Sequence, residues 1–536
     1  MIIANLIAAF FLFSLFLFSF KRGRLFMHFF QQEEYDNKRF FYYIFSNPKL
    51  IDKKLTISLI AVFLLLSFLE QHHYTTIYLA IVLQIFALIQ INPCSKNVKK
   101  ALVITARVKR IFALFLSLII AIYGLFYLSF FNISGILFLI VLILFIHSLA
   151  LLLILSNLLL QPYEKYIQNF FLKDAKQKLK DAATPIIAIT GSYGKTSTKY
   201  ILHNTLSFVA SSLSTPGSVN TSMGISRIIR EKLKKEHKYF IVEMGAYGVG
   251  SIKRLCDLAS PNHGIITAVG DSHYERFKSL ENVAKAKFEL NQAINHNNGK
   301  TIINSDAIDK EFIKKYGKNL ILVGSAKDND YVISQIKQTT GGLKFKIENK
   351  GKIYDINSSL FGLHHAHNIA LSFAMAHNLG IDVDAIIAAQ KNMPQIKHRL
   401  EVIKAKDQPI IIDDAYNSNP DGFIAALKIT KLLKKDGGRS ILVTPGMVEL
   451  GDLHQQKHEE VAIEALKNID IAIIIKPKRI QSFVKLFTKE MKKSQQLICF
   501  DGFVEAKKWI DENSNVNDVI LYENDLPDLY ENQICL

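Results

Sequence analysis

Cysteine is scarce in this chain. Its 536 residues include four, Cys94, Cys256, Cys499 and Cys535, far apart and with no CxxC pair. That spacing excludes a disulfide framework and a structural zinc site, and it implies reduced thiols. A secretory cleavage signature is also lacking. Residues 2–20 are apolar, but the charges Lys21, Arg22 and Arg24 follow the run instead of preceding it, and no small-residue cleavage motif comes after. The segment therefore reads as a membrane anchor and not a leader. Inside the apolar runs that follow, no acidic or basic residue stands out, which argues against transport as the role of this region.

What is abundant is positive charge and apolar length. Lys and Arg number 65 against 47 Asp and Glu, a net charge of +18. Such a balance suits nucleic acid, or a membrane protein with basic cytoplasmic loops. The pattern favours the second. Apolar runs recur at 55–69, 77–91, 111–131 and 134–160. The first two of these, 55–69 and 77–91, are short for a span, which needs about 20 residues, so a thin hairpin is expected there, with a re-entrant pair as the alternative. Basic residues crowd 21–54 and 92–110, whereas the turns 70–76 and 132–133 carry none. The positive-inside rule then gives five spans over residues 1–160, the N-terminus outside and everything after 160 in the cytoplasm of a plasma (inner) membrane. The basic loops are explained by topology, with anionic membrane lipid as a secondary partner and no nucleic acid required.

Residues 161–184 read as a Lys-rich amphipathic linker helix. From 185 onward short apolar strands alternate with helical stretches, the pattern of mostly parallel sheets with helices on both faces. The expected fold class is an α-helical membrane region followed by α/β: a central ATPase-like domain over 185–396 and a Rossmann-like domain over 397–536.

The stretch Thr190-Gly191-Ser192-Tyr193-Gly194-Lys195-Thr196-Ser197 follows a buried strand and opens a helix. Such a turn presents backbone N–H groups and the positive helix end to an anion. Lys195 would reach the outer phosphates of ATP, and the Thr196 hydroxyl would hold Mg²⁺. The loop is shorter than G-x-x-x-x-G-K-[ST], since Ile189 stands where that pattern has its first glycine. Strand 239–242 ends in Glu243, a carboxylate placed for a phosphate-bound Mg²⁺. Strand 264–267 leads to His273, a metal candidate or an ordinary loop histidine. Lys287 lies on a helix face that by itself looks merely solvated. Asp413 and Asp414 end a further strand, where turn chemistry and a carboxylate site are equal alternatives.

Eight motifs occur in order: ITGSYGKTSTK (189–199), TPGSVNTSMGI (215–225), VEMGA (242–246), SHYERFKSLENVAKAKFE (272–289), FGLHHAHNIA (361–370), HRLE (398–401), IDDAYNSNPDG (412–422) and GMVELGD (446–452). Together they resemble the Mur ligases, the ATP-dependent enzymes that build the peptidoglycan peptide. The resemblance covers about residues 185–525. It implies that Gly191, Gly194, Lys195 and Thr196 hold ATP phosphates and that Glu243 and His273 are Mg²⁺ ligands. It implies that Lys287 is the lysine the family carries as a carbamate beside a second Mg²⁺. Asn220 falls in the phosphate- and metal-contacting segment. Asn368, Arg399 and Asp414 match nucleotide-holding positions. The reaction implied is phosphorylation of a substrate carboxylate by ATP, followed by amide formation with an amino acid or dipeptide.

Four departures stand beside the likeness. The glycine-rich GNxNN pattern is GSVNT at 217–221. Apolar runs replace the family's UDP-sugar-binding domain. His365 stands where Asn is usual in G-x-H-N. Glu523-Asn524-Asp525 stands where a Lys-Gly-Ser strand end is usual. The acceptor is thus left as a lipid-linked or UDP-linked cell-wall precursor. Two other readings remain: a ligase for another peptide-like polymer, and a non-catalytic nucleotide-binding scaffold for cell-wall synthesis.

Overall fold

The structure is a computed structural model that describes residues 2–33, 35–47, 53–68, 75–89, 102–129, 135–270, 277–297, 299–415, 419–448 and 450–524. The chain divides into two compact units, residues 1–168 with 526–536, and residues 169–525.

The first unit is helical: α1 (Ile2–Gln32), α2 (Asn37–Ser46), α3 (Lys53–Phe68), α4 (Thr75–Ile89), α5 (Ala106–Ser129) and α6 (Gly135–Ala182). Phe11, Leu15, Phe18, Phe30, Phe115 and Leu142 form part of its core. Among the described residues, three helical stretches, Leu6–Gln32, Ala106–Leu125 and Ile136–Ala182, are long and apolar enough to cross a membrane. The expected short pair is α3 and α4, of 16 and 15 residues, and length does not qualify either as a span.

Two boundaries differ from expectation. The basic run at 21–24 does not end α1, which continues to Gln32. Burial explains it. The Arg22 guanidinium lies 4.8 Å from the Phe26 ring centroid. Gly23 admits Phe115, whose ring carbon would sit 2.3 Å from an added Cβ. The linker segment is likewise no separate helix, because α6 runs through Pro162 into residues 169–182 of the second unit. An internal proline forfeits one helix hydrogen bond. Two residues after Pro162, the Glu164 carboxylate takes a two-pronged bond from Arg110 (2.6 and 2.9 Å). The structure also places an ionisable residue in the apolar part of α6, where His147 Nε2 lies 2.9 Å from Thr56 Oγ1.

The second unit holds two sheets. The first contains β1 (Ile186–Thr190), β2 (Ser212–Ser214), β3 (Tyr239–Glu243), β4 (His263–Ile266), β5 (Thr301–Asn304), β6 (Leu320–Gly324), β7 (Tyr331–Thr339), β8 (Gly342–Asn349) and β9 (Lys352–Ser358). Their order is β2-β3-β1-β4-β5-β6-β7-β8-β9. It is parallel through β7, as the continuous apolar runs require. β7, β8 and β9 add an antiparallel meander. Its tight turn at Lys350-Gly351 has φ of 49° and 76°, the mirror-image conformation that suits strand twist.

The second sheet contains β10 (Glu401–Ile403), β11 (Ile410–Asp414), β12 (Ser440–Thr444), β13 (Ile471–Ile475), β14 (Gln496–Phe500) and β15 (Val519–Glu523), in the order β10-β11-β15-β12-β13-β14. Only the β10–β11 pair is antiparallel. β1 and β11 therefore release their loops at the carboxyl ends of parallel strands, where open α/β sheets place ligands.

Candidate active site

The turn expected to hold phosphates is shaped by two glycines. Gly191 has φ 151°, and an added Cβ would lie 2.0 Å from Thr267 Oγ1. Gly194 has φ 78°, and its Cβ would lie 2.8 Å from Asn368 Oδ1. A side chain at either position would be strained by the positive φ, so both glycines shape the turn between β1 and the helix Lys195–Ser207. Thr190 Oγ1 donates to the Met244 carbonyl (2.9 Å), Ser192 N to the Ala268 carbonyl (2.8 Å), and Thr267 Oγ1 to the Tyr193 carbonyl. Ser197 is buried and Tyr193 is exposed. The Lys195 ammonium sits over the loop and donates to the Gly191 (2.7 Å) and Ser192 (3.1 Å) carbonyls.

Glu243, at the end of β3, is the second focus. Its side chain is 1% exposed. Oε2 accepts from Thr196 Oγ1 (3.0 Å) and from Lys199 Nζ (2.9 Å), and Oε1 accepts from Asn220 Nδ2 (3.2 Å). Lys199 Nζ also donates to the Gly217 carbonyl. A hydroxyl and a carboxylate this close are hard oxygen donors of the kind Mg²⁺ takes. The residues present fit both a phosphate chain and its Mg²⁺.

Burial lowers three lysines here. Lys195 is brought down to about 8, with Arg399 adding to the fall and Glu243 opposing it. Lys199 is lowered by burial against the pull of Glu243. Lys287, on the helix Leu280–His296, falls well below the ordinary lysine value, first through burial and then through the charge of Lys195, with Glu289 opposing. Lys287 is therefore no solvated helix-face residue: it is 3% exposed and lies within electrostatic reach of Lys195. Arg399 is close enough to act on both Lys195 and Lys199 beside Glu243, which makes a place where negative charge is favoured.

Asn368 packs on the loop from the helix His364–Asn378, its Oδ1 accepting from Thr198 Oγ1 (3.2 Å) and its Nδ2 lying 3.3 Å from His365 Nδ1. From the second sheet come Arg399 and Asp414. Arg399 acts electrostatically on Lys195, Lys199 and Asp414, which brings it to the site. It is flanked by His398 and Leu400, both non-glycine residues with positive φ (58° and 49°), a strain of the kind that accumulates at functional positions. Asp414 Oδ1 accepts from Leu400 N (3.2 Å). Burial pushes the Asp414 carboxyl up to about 7, opposed by that N–H and by Arg399 and assisted by Asp413.

Sequence reasoning missed Lys199 and Thr215. Thr215 Oγ1 accepts from Glu243 N (3.1 Å). The signal for Lys199 was its place four residues after Lys195, on the face of the helix that meets Glu243. His273 lies outside the described residues, as do Asp271, Ser272, residues 416–418, Glu449 and the tail from Asp525.

Two family models match this arrangement: the Mur ligase middle domain over residues 189–376, and the Mur ligase glutamate ligase domain over 398–522. The chain belongs to the Mur ligase family. Curated relatives include the UDP-N-acetylmuramoyl-tripeptide–D-alanyl-D-alanine ligases of Buchnera aphidicola subsp. Baizongia pistaciae, 34% identical over 50% of this chain, and of Bacillus subtilis, 29% identical over 53%. This chain spans 57% and 61% of their respective lengths. Among solved structures, the MurF ligase of Thermotoga maritima in complex with ADP superposes with a TM-score of 0.58, covering 68% of this chain and 81% of that one at 24% identity. MurF of Acinetobacter baumannii gives 0.57, covering 67% and 77% at 23% identity. These likenesses establish the Mur ligase fold for the second unit.

Proposed function

We propose that this Mur ligase is a membrane-anchored, ATP-dependent carboxylate–amine ligase that forms ADP. The observation that carries the proposal is the convergence of Thr196, Lys199 and Asn220 on buried Glu243, beside a phosphate loop crowned by Lys195. The named activity of the relatives and the ADP complex of the Thermotoga protein support it.

In this reading Lys195 and the loop N–H groups hold the β- and γ-phosphates. Thr196, Glu243 and His273 would hold Mg²⁺, which would supply charge neutralisation for phosphoryl transfer. Lys287 supplies a buried amine whose lowered proton affinity favours the neutral form, which would take up carbon dioxide and release a proton to give a carbamate. The carbamate oxygens would offer ligands for a second Mg²⁺. Asn368 braces the loop, while Arg399 and Asp414 hold the nucleotide from the second sheet. The substrate carboxylate attacks the γ-phosphate, giving an acyl phosphate and ADP. The amine of an amino acid or dipeptide then displaces phosphate to form the amide. Two depressed lysines and Arg399 offset the charge gathered in the first step, and closure of the second-sheet domain would exclude water.

Residues 1–160 serve as a multi-pass anchor with the catalytic domains cytoplasmic, residues 161–184 as the connector, 185–396 as the ATP-binding domain and 397–536 as the amine-binding domain. Three helical stretches of spanning length support the anchor. The acceptor is a cell-wall precursor, lipid-linked or UDP-linked, and the helical unit favours the lipid-linked form.

The test is phosphate release from ATP by full-length protein in detergent. It is run with membrane lipid extract plus pooled D- and L-amino acids, and separately with UDP-linked muramoyl peptide plus dipeptide. Stimulation by lipid extract alone supports a membrane-bound acceptor. Stimulation by UDP-peptide makes the helices an anchor only. Silence in both overturns a cell-wall acceptor and favours the other-polymer ligase and scaffold readings together.

A further inference from the structure

Three ligating side chains of different origin converge where the chain passes from the first sheet to the second. His398 lies in the connection, Glu401 opens β10 and Asp413 lies near the end of β11. The His398 ring nitrogen and the carboxylate oxygens of Glu401 and Asp413 lie within 4.8 Å of one another. Glu401 and Asp413 are register partners on antiparallel strands, so their side chains share a face of the sheet. Like charges set directly opposite on a sheet repel. His398 turns toward them: its Nδ1 is 2.7 Å from Asp413 Oδ2, and its N–H donates to Glu401 Oε2 (3.1 Å). The imidazole is exposed, so the cluster can be reached from solvent.

We infer that His398, Glu401 and Asp413 form a site for a divalent transition-metal cation, separate from the Mg²⁺ expected at Thr196 and Glu243. A simple His398–Asp413 ion pair would neutralise one carboxylate of the two, whereas a dication at the centre answers both. One imidazole nitrogen with two carboxylate oxygens suits Zn²⁺ or Mn²⁺ and not Mg²⁺, which keeps to oxygen. Bonds of about 2.1 Å require the three groups to draw together, which exposed rotamers allow. The ion has a structural consequence. Arg399 follows His398 and Asp414 follows Asp413, so pinning the cluster fixes the joint that carries both toward the phosphate loop. This inference does not rest on the ligase reading, because ion binding is measured without turnover.

The experiment is isothermal titration of chelator-stripped, full-length protein in detergent with Zn²⁺, in millimolar Mg²⁺. Co²⁺ absorbance follows as a report on imidazole–carboxylate coordination. One saturable Zn²⁺ per chain is expected. Glu401→Gln, which keeps shape and removes charge, should weaken it at least about tenfold, and His398→Ala should do the same and abolish the Co²⁺ spectrum. Hydrogen exchange at 397–403 should slow when Zn²⁺ binds and stay unchanged in Glu401→Gln. Absence of saturable binding, or binding of equal strength in both variants, overturns the inference.

Discussion

The two units of this protein bury charge in opposite ways. In residues 1–168 the described ionic contacts pair groups of opposite sign, as Arg110 pairs with Glu164 and Arg39 with Glu33. In residues 169–525 three buried lysines share one electrostatic neighbourhood, Lys195 and Lys199 beside Glu243 and Lys287 beside Glu289. Paired charges hold a structure together. Unbalanced charges cost stability and are retained where a ligand completes them. The comparison therefore separates a scaffold from a site without appeal to any relative, and each variant below tests one side of it.

The largest effect is expected at Lys195. Replacing it with Ala should lower ATP turnover on the order of 10³-fold, because a positioned cation at the developing phosphoryl charge is lost. Turnover within tenfold of wild type would remove the phosphate-loop assignment. Next comes Lys199→Met, which leaves the Glu243 carboxylate buried without its ammonium partner. We expect a loss of about 3 kcal/mol in unfolding free energy, most of it recovered in the Lys199→Met/Glu243→Gln pair. A single variant as stable as wild type would show that Thr196 and Asn220 suffice for Glu243.

Much of this contrast was legible in the residues. β1, the glycine turn and Lys195 declare themselves because a phosphate loop needs a buried strand, positive φ and a helix start in direct succession. Glu243 was legible as the carboxylate ending a strand. Lys287 was not, since a helix-face lysine looks the same whether or not a neighbouring element covers it, and only the resemblance marked it. The burial of Lys199 depends on Glu243, 44 positions away, a separation at which local periodicity carries no information. In the helical unit, composition located the apolar runs but misjudged their ends. Arg22 reads as a stop in the sequence, yet Phe26 accommodates it inside a continuing helix. Pro162 reads as a boundary, yet α6 passes through it.

Lys287→Ala should lower activity on the order of a hundredfold, with partial recovery on adding short carboxylates that stand in for the carbamate. Unchanged activity would place Lys287 outside the chemistry and leave its burial unexplained by function. Asp414 gives a smaller effect, read through pH. Its folded-state value, about 7, lies above the ordinary aspartate value of 3.8, so the folded protein holds a proton that the unfolded chain has released. Stability from this group is present below about pH 4 and is lost as pH rises toward 7, at no more than about 1.4 kcal/mol per pH unit. Asp414→Asn should flatten that part of the stability profile relative to wild type. Parallel profiles would mean that Arg399 and the Leu400 N–H hold the carboxylate ionised throughout.

The smallest effect belongs to the helical unit. Arg110 and Glu164 bond through both prongs, but the Arg110 side chain keeps 29% of its exposure while Glu164 keeps 6%. A double-mutant cycle with Arg110→Ala and Glu164→Ala should therefore give a coupling of about 1 kcal/mol in thermal unfolding. The single variants should be unequal, because Arg110→Ala strands a buried carboxylate whereas Glu164→Ala leaves a guanidinium that water can reach. Phosphate release per folded molecule decides what the pair is for. If it is unchanged in both variants, these charges only hold α5 to α6. If Glu164→Ala lowers turnover with lipid extract but not with UDP-peptide, the helical unit takes part in recognising the acceptor, and the division between scaffold and site no longer follows the division between the two units.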